Sequence, residues 1–362
     1  MSSRYQRPNI QAMQGYTWGE QPNNNKVTKL NTNENPYPPS PAAQAALADI
    51  TIDALRTYPQ PTADPLRQLI ASQHNIDLNQ VVVTNGGDEA LRLAFTTFVE
   101  PNKSIGVAEP SYSLYPVLAA IQDASIQRVN LDEQWQIPFD FAQQLNQADC
   151  QVTCVVNPHA PSGSLYPIEQ LSDIAEALDG ILLIDEAYVD FVDPKLNYSS
   201  VPLINKHDNV LILRSFSKGY GLAGLRLGYL LGCSALIDPI VNKTRDSYNI
   251  NHISQKIGEA AFLDQAYAQD TWHKVRKARE LLQQNLAQLG LVSPKSHTNF
   301  ILTTVPDEAK LCAEELYLAL KEAGILVRYF NAPGLSNKLR ITIGTPEQNQ
   351  QLIETISDLL TT

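Results

Sequence analysis

Cysteine is scarce in this chain and has no pattern. The four cysteines, Cys150, Cys154, Cys233 and Cys312, form no Cys-x-x-Cys pair and no other ligand spacing. That excludes the usual zinc sites and a disulfide framework, and free thiols beside apolar runs fit a reducing compartment. Long apolar runs are also missing: none approaches the ~18 residues that suggest a membrane-spanning helix. The N-terminal stretch MSSRYQRPNIQAMQGYTWGEQPNNNK lacks the apolar centre of a secretion signal, so a cytoplasmic location is expected. Basic residues are in deficit, with 27 Lys and Arg against 38 Asp and Glu and a net charge of −11. This excludes the basic face of a nucleic-acid binder and the polybasic anchor of a membrane-surface protein. Small-molecule partners are expected instead. There is no internal repeat and no low-complexity linker, and the Asn23-Asn24-Asn25 run is too short to count as one.

What remains is a chain of 362 residues, 43% hydrophobic, enough for one large or two moderate cores. Residues 1–40 are polar, rich in Asn and Pro, and end in NTNENPYPPSP. They cannot form a core alone and read as an arm that packs on something else. From residue 41 helical stretches (PAAQAALADI, ADPLRQLIASQHN) give way to short apolar runs that alternate with helices: QVVVTN, SIGVAEP, VTCVVNP, GILLIDEAY, NVLILRS and LRLGYLLG. Such runs predict parallel strands in βα units. Leu91, Ala94, Phe95 and Phe98 have the spacing of one buried helix face. Beyond residue 254 a long helical stretch leads to the strand-like segments FILTTV, ILVRYF and LRITIG. The helix CAEELYLALKEAG lies among them, ended by Gly324, and the last helix begins at Thr345-Pro346. The expected architecture is α/β. An arm over 1–40 precedes a large domain over 41–253 with a mostly parallel central sheet flanked by helices, and a smaller α/β domain covers 254–362.

Polar residues gather after these strands, where open α/β sheets bind ligands. Asn85-Gly86-Gly87-Asp88-Glu89 opens a helix, and its free N–H groups suit an anion; a tight turn with an acidic helix start is the plainer alternative. Asp185 directly follows four apolar residues, so a buried carboxylate is expected there. It is either a cap or structural pair, or it faces a cationic ring nitrogen. Lys218 sits in RSFSKGYGLAGLR between small hydroxyl residues, with Arg226 eight positions later. A lysine that condenses with an aldehyde gives up its charge, which suits a partly buried site. Ser215, Ser217 and Arg226 would supply donors to a phosphate. The ligand that combines an aldehyde, a ring nitrogen, a phenolic oxygen and a phosphate is pyridoxal 5′-phosphate.

The order Asp-x-x-Tyr, then Ser-x-Ser-Lys, then the arginine, resembles the fold-type I aminotransferases. Within them LNTNENPYPPSP, YPQP, NGGDEALRLAF, DEAYVDF, RSFSKGYGLAGLRLGY, VRYF and LRITIGT resemble the histidinol-phosphate aminotransferases of the class II subfamily, from about Gly15 to the last helix. The resemblance implies the fold-type I architecture, with the arm packed on the small domain and on a partner in a homodimer. It implies Lys218 as the residue that binds the cofactor covalently and moves the proton between substrate Cα and cofactor C4′. Asp185 would pair with the pyridinium nitrogen, Tyr188 with the phenolic oxygen, and Tyr112 would stack on the ring. Gly87, Asp88, Ser215, Ser217 and Arg226 would hold the phosphate, and Tyr58 would reach the phosphate in the neighbouring subunit. Arg340 and Arg328 would bind the substrate's anionic group, with Tyr16, Asn33 and Tyr248 lining the substrate side. The implied activity is transamination of L-histidinol phosphate with 2-oxoglutarate in histidine biosynthesis. Action on aromatic amino acids, or decarboxylation of threonine phosphate, is the alternative on the same fold. A non-catalytic regulatory domain would need a broken lysine site or an added DNA-binding segment, and the sequence has neither.

One position departs from the family pattern. Where the family carries an Asn before Pro-Thr-Gly, as a second partner for the phenolic oxygen, this chain has Ala160 in NPHAPSG. Asn157 is expected to take over that contact, with His159 as the other candidate.

Overall fold

A computed structural model describes residues 4–22 and 27–361; the Asn23–Asn25 run and the rest of the arm outside those ranges lie beyond the described residues. Among the described residues twelve strands form: β1 Thr28–Lys29, β2 Val81–Thr84, β3 Ser104–Glu109, β4 Ser125–Asn130, β5 Cys150–Val156, β6 Ile181–Asp185, β7 Val210–Ser215, β8 Gly228–Gly232, β9 Phe300–Thr304, β10 Ile325–Leu326, β11 Arg328–Tyr329 and β12 Lys338–Thr342.

The central sheet has seven strands in the order β2-β8-β7-β6-β5-β3-β4. The pairs among β4, β3, β5, β6 and β7 are parallel, whereas β8 runs antiparallel to both of its neighbours. The inner parallel strands are apolar almost throughout because helices cover both faces, as the fully buried Leu182-Leu183-Ile184-Asp185 of β6 shows. Two apolar clusters fill those faces, one around Leu66, Ile70, Ile184 and Phe216, the other around Leu91, Phe95, Tyr115 and Leu213. Two expectations change here. The strand in LRLGYLLG is antiparallel, and β4 (SIQRVN) has no apolar run because it is an exposed edge, where only one or two positions need burial.

A third cluster, with Val275, Leu282, Ile301, Leu316, Leu339 and Ile356, forms the core of the smaller unit. Helix His252–Leu263 does not belong to it: Ile257, Ala261 and Phe262 pack into the first cluster of the central sheet. We therefore propose the boundary at Asp264, the cap of helix Gln265–Gln288, rather than at residue 253/254. ILVRYF splits into two strands: β10 pairs in parallel with β1 of the arm, and β11 pairs with β12. The arm joins both units. Leu30 lies in the small core, while the side chains of Arg7 and Asn9 donate to the carbonyls of Ile121 and Ala120 on the large one. Cys150 and Cys154 are buried, and Cys312 is exposed. No helix among the described residues is long and apolar enough to cross a membrane.

Candidate active site

The parallel strands carry their polar ends to one edge of the sheet. β6 ends in Asp185, which is 5% exposed. Its Oδ2 accepts from the Tyr115 hydroxyl at 2.8 Å and its Oδ1 from the Ala187 N–H at 3.1 Å. Burial pushes the carboxyl up to about 6, and the two hydrogen bonds oppose that rise. Asp185 is thus no helix cap but a buried acid. Tyr115 was not singled out in the sequence, although it lies one helical turn after Tyr112.

Lys218 follows β7 and is half-buried. Its Nζ donates to the Thr32 carbonyl at 3.0 Å. Burial draws the ammonium down to about 8, and the Arg340 and Arg226 guanidinium groups add to the shift. Ser215 and Ser217 are buried beside it, and the Ser215 hydroxyl accepts from the Ser217 N–H at 3.0 Å. Arg226 adopts a left-handed backbone, φ 54°, which turns its guanidinium back toward Ser217 Oγ (3.4 Å) and Asp88 Oδ2 (3.1 Å). A Cβ on Gly86 would come within 2.7 Å of that guanidinium, and one on Gly228 within 3.1 Å of the Gly87 nitrogen, so only glycine leaves this cradle open.

The Asp88 carboxylate accepts from Arg226 and, at 3.2 Å, from the Tyr112 hydroxyl. A carboxylate cannot donate, so what Asp88 can offer an anion is its backbone N–H in the first turn of helix Gly86–Phe98. Tyr112 stands edge-on to Tyr115 and to Tyr16, with ring centroids 5.6 and 6.0 Å apart.

Tyr188 is held by the small unit. Its ring meets Phe300 edge-on at 5.0 Å, and its hydroxyl accepts from Asn33 Nδ2 at 2.9 Å. Burial raises its hydroxyl above the usual tyrosine value. Arg340 on β12 lies over the rings of Phe300 and Phe330 at 5.3 and 5.4 Å and donates to the Asn31 carbonyl at 3.1 Å. Its buried Nε has no hydrogen-bond partner among the described residues. Arg328 on β11 is the cross-strand neighbour of Arg340. Burial lowers the Arg340 value and the Arg328 charge adds to it, the setting of a guanidinium in want of an anion.

Asn157 and His159, the two candidates for the contact that Ala160 cannot make, are both engaged elsewhere. Asn157 is fully buried and committed elsewhere: Nδ2 donates to the Tyr166 carbonyl (3.1 Å) and the Tyr198 hydroxyl (2.8 Å), and Oδ1 accepts from the Tyr166 N–H (2.8 Å). It has no hydrogen left for a cofactor oxygen. His159 is committed too, between Ser162 Oγ at 2.7 Å and the Pro110 carbonyl at 2.9 Å. Tyr58 and Tyr248 stand apart from the cluster around Lys218. They stack on each other at 4.5 Å, 80% and 43% exposed, beside an open cavity of about 520 Å³ that includes Leu55, Pro59 and Ile253. Among the described residues no hydrogen bond or ring contact joins either to Lys218, Asp185 or Arg340.

Residues 25–356 match the family model described as aminotransferase class I and II. The chain belongs to that family. This aminotransferase is 43% identical over 359 residues to histidinol-phosphate aminotransferase 1 of Trichormus variabilis, covering 99% of each chain. It is 37% identical to the histidinol-phosphate aminotransferase of Synechocystis sp., over 98% of this chain and 97% of the other. Among solved structures the aminotransferase superposes on histidinol-phosphate aminotransferase from Sinorhizobium meliloti, in complex with pyridoxal 5′-phosphate, with a TM-score of 0.90 over 99% of both chains. At 22% identity that likeness speaks for the fold, the fold-type I arrangement with a mostly parallel sheet.

Proposed function

We propose that this aminotransferase transfers the amino group of L-histidinol phosphate to 2-oxoglutarate, giving imidazole acetol phosphate and L-glutamate, in histidine biosynthesis. The observation that carries this reading is full-length kinship with histidinol-phosphate aminotransferases at up to 43% identity, in a chain whose small sheet sets Arg328 opposite Arg340. Aromatic amino acids or threonine phosphate as substrates have less support. The deciding experiment is a steady-state comparison of histidinol phosphate, phenylalanine and threonine phosphate as donors. A preference for either of the last two would overturn the reading.

The residues present fit pyridoxal 5′-phosphate. A lysine with its ammonium drawn to about 8, a buried acid, and a glycine cradle against Arg226 meet at one edge of the sheet. When bound, the cofactor supplies an aldehyde for nitrogen linkage and an electron-poor ring that accepts the electron pair of the substrate Cα–H bond. Lys218 would provide the covalent attachment, and as a neutral amine its Nζ would be the base that moves the proton between substrate Cα and cofactor C4′. Asp185 keeps the ring nitrogen protonated, as a buried carboxylate in need of a cation would. Tyr188 would donate to the phenolic oxygen, and Tyr112 would stack on the ring. The N–H groups of Gly87 and Asp88, with Ser215, Ser217 and Arg226, bind the phosphate. Arg340 receives the anionic end of both substrates, and Arg328 adds a second fork for the phosphate dianion. Tyr16, edge-on to Tyr112, would line the substrate side.

We place the active unit as a homodimer in the cytoplasm. Tyr58, 80% exposed on its own chain, is then the residue lent to the neighbouring subunit's phosphate site, and Tyr248 lines the substrate side across that same contact. The buried free thiols of Cys150 and Cys154 are compatible with a reducing compartment.

A further inference from the structure

Asn33 stood in the sequence as a residue lining the substrate side, but its position in the fold points to another task. It is 2% exposed and adopts a left-handed backbone, φ 57°, which Asn tolerates better than most residues. Both of its polar ends are tied to the small unit. Its N–H donates to Thr342 Oγ1 at 3.0 Å, and its carbonyl accepts from Asn299 Nδ2 at 2.9 Å. The Thr342 hydroxyl, already accepting from that N–H, has one hydrogen of its own, and Asn33 Oδ1 lies 3.2 Å away to receive it. That contact fixes the amide: Oδ1 faces Thr342, so Nδ2 faces Tyr188 and donates to the hydroxyl oxygen at 2.9 Å. A tyrosine oxygen that accepts from Asn33 must send its own hydrogen elsewhere. Asn157 and His159, the neighbouring polar candidates on the sheet, are committed to Tyr166, Tyr198, Ser162 and Pro110.

We propose that Asn33 is a positioning residue that makes Tyr188 an obligatory donor to the cofactor's phenolic oxygen, and that it ties this donor to β12, the strand that carries Arg340. Arg340 and Thr342 are two residues apart and so share one face of that strand. An anion seated on Arg340 and the hydroxyl that steers Tyr188 are thereby borne by the same short element. The inference rests on the pyridoxal-phosphate reading above.

The test uses the visible absorbance band of the bound cofactor, whose titration with pH reports the charge around the phenolic oxygen. The other titratable groups facing Tyr188 are Asp185, Arg340, Tyr16 and Tyr112, and all are kept. Asn33→Asp keeps the shape and tolerates the left-handed backbone, but it replaces a donor by an acceptor. Tyr188 then turns its hydrogen toward the carboxylate. A hydrogen bond to the more negative form favours that form, so losing it raises the midpoint of the titration. We expect a rise of about one pH unit, a tenfold change in the equilibrium, with kcat falling and KM for histidinol phosphate little changed. In a Tyr188→Phe background the same substitution should give a clearly smaller shift, the remainder coming from the new carboxylate's own charge. Thr342→Val, which frees the amide to rotate, should shift the midpoint in the same direction by less.

An Asn33→Asp midpoint equal to that of the unaltered enzyme would overturn the proposal, as would a full shift that persists in the Tyr188→Phe background. Should Asn33→Asp fail to fold, an unchanged midpoint in Thr342→Val would overturn it alone. Failure of the unaltered chain to develop any visible band with pyridoxal 5′-phosphate would instead bring down the cofactor reading on which the inference stands.

Discussion

Arg328 and Arg340 are direct partners across the β11–β12 pair, and both guanidinium groups lie over the ring of Phe330, at 5.2 and 5.4 Å. Directly opposed residues share one face of a sheet, and like charges there are destabilising. Phe330 eases the repulsion by offering its π-face to both cations. A doubly charged anion between the two forks would relieve it further.

This pairing gives a specificity prediction. A charge-assisted hydrogen bond is worth about 1.5–3 kcal/mol, so Arg328→Ala should lower kcat/KM for histidinol phosphate by roughly ten- to a hundredfold. The loss with phenylalanine as donor should be much smaller, since that donor has no dianion to span two forks. Equal losses for both donors would mean that Arg328 does not read the phosphate.

Lys218 sets the pH dependence of cofactor capture. Only the neutral amine attacks an aldehyde, and the folded protein holds this ammonium at about 8, below its ordinary value. Below pH 8 the rate of covalent capture should therefore climb about tenfold per unit, and it should level off above pH 8 rather than near ~10.4, where an unperturbed lysine titrates. Stopped-flow absorbance after mixing the cofactor-free enzyme with pyridoxal 5′-phosphate checks this. Lys218→Ala should show no covalent capture and no transamination, while the phosphate site still binds the cofactor reversibly.

The exposed Tyr58 leads to a complementation test. Lys218→Ala and Tyr58→Ala chains should each be inactive or nearly so. Mixed, they should regain part of the activity, because one of the two sites in a heterodimer then has an intact lysine and a tyrosine from the neighbour. An active enzyme that sediments strictly as a monomer would contradict the shared site.

Stability depends on a buried ion pair behind the sheet edge. Arg214 Nε donates to Glu186 Oε2 at 2.8 Å, with Nη2 2.8 Å from the same oxygen, and Glu186 also accepts from the Tyr198 hydroxyl at 2.9 Å and from the Ser200 hydroxyl. The Glu186 side chain is fully buried. Arg214→Met would leave that charge without its cation, which typically costs about 3–5 kcal/mol. Denaturant unfolding should show a lower midpoint with the slope unchanged, and a loss under 1 kcal/mol would mean that the tyrosine and serine hydroxyls suffice.

The local pattern determined most of the fold and the polar residues at the strand ends. A buried parallel strand must be apolar along its length, so VTCVV, ILLID and VLILRS are readable, and so are Asp185, Ser215 and Lys218 where they end. The edge strand β4 escaped notice because an exposed edge imposes no such run. Helix His252–Leu263 has the same amphipathic texture as the small-unit helix that follows it, and only packing against the central sheet assigns it. Tertiary structure alone decided the rest, because those facts are contacts between residues far apart in the chain. Arg340 opposes Arg328 through the register of two strands, and Asn33 reaches Tyr188 across 155 positions. Asn157 occupies the strand end where a cofactor ligand was expected, yet it is used up by Tyr166 and Tyr198. A sequence states which donors exist, whereas the folded chain settles which of them remain free after the buried polar groups have been satisfied.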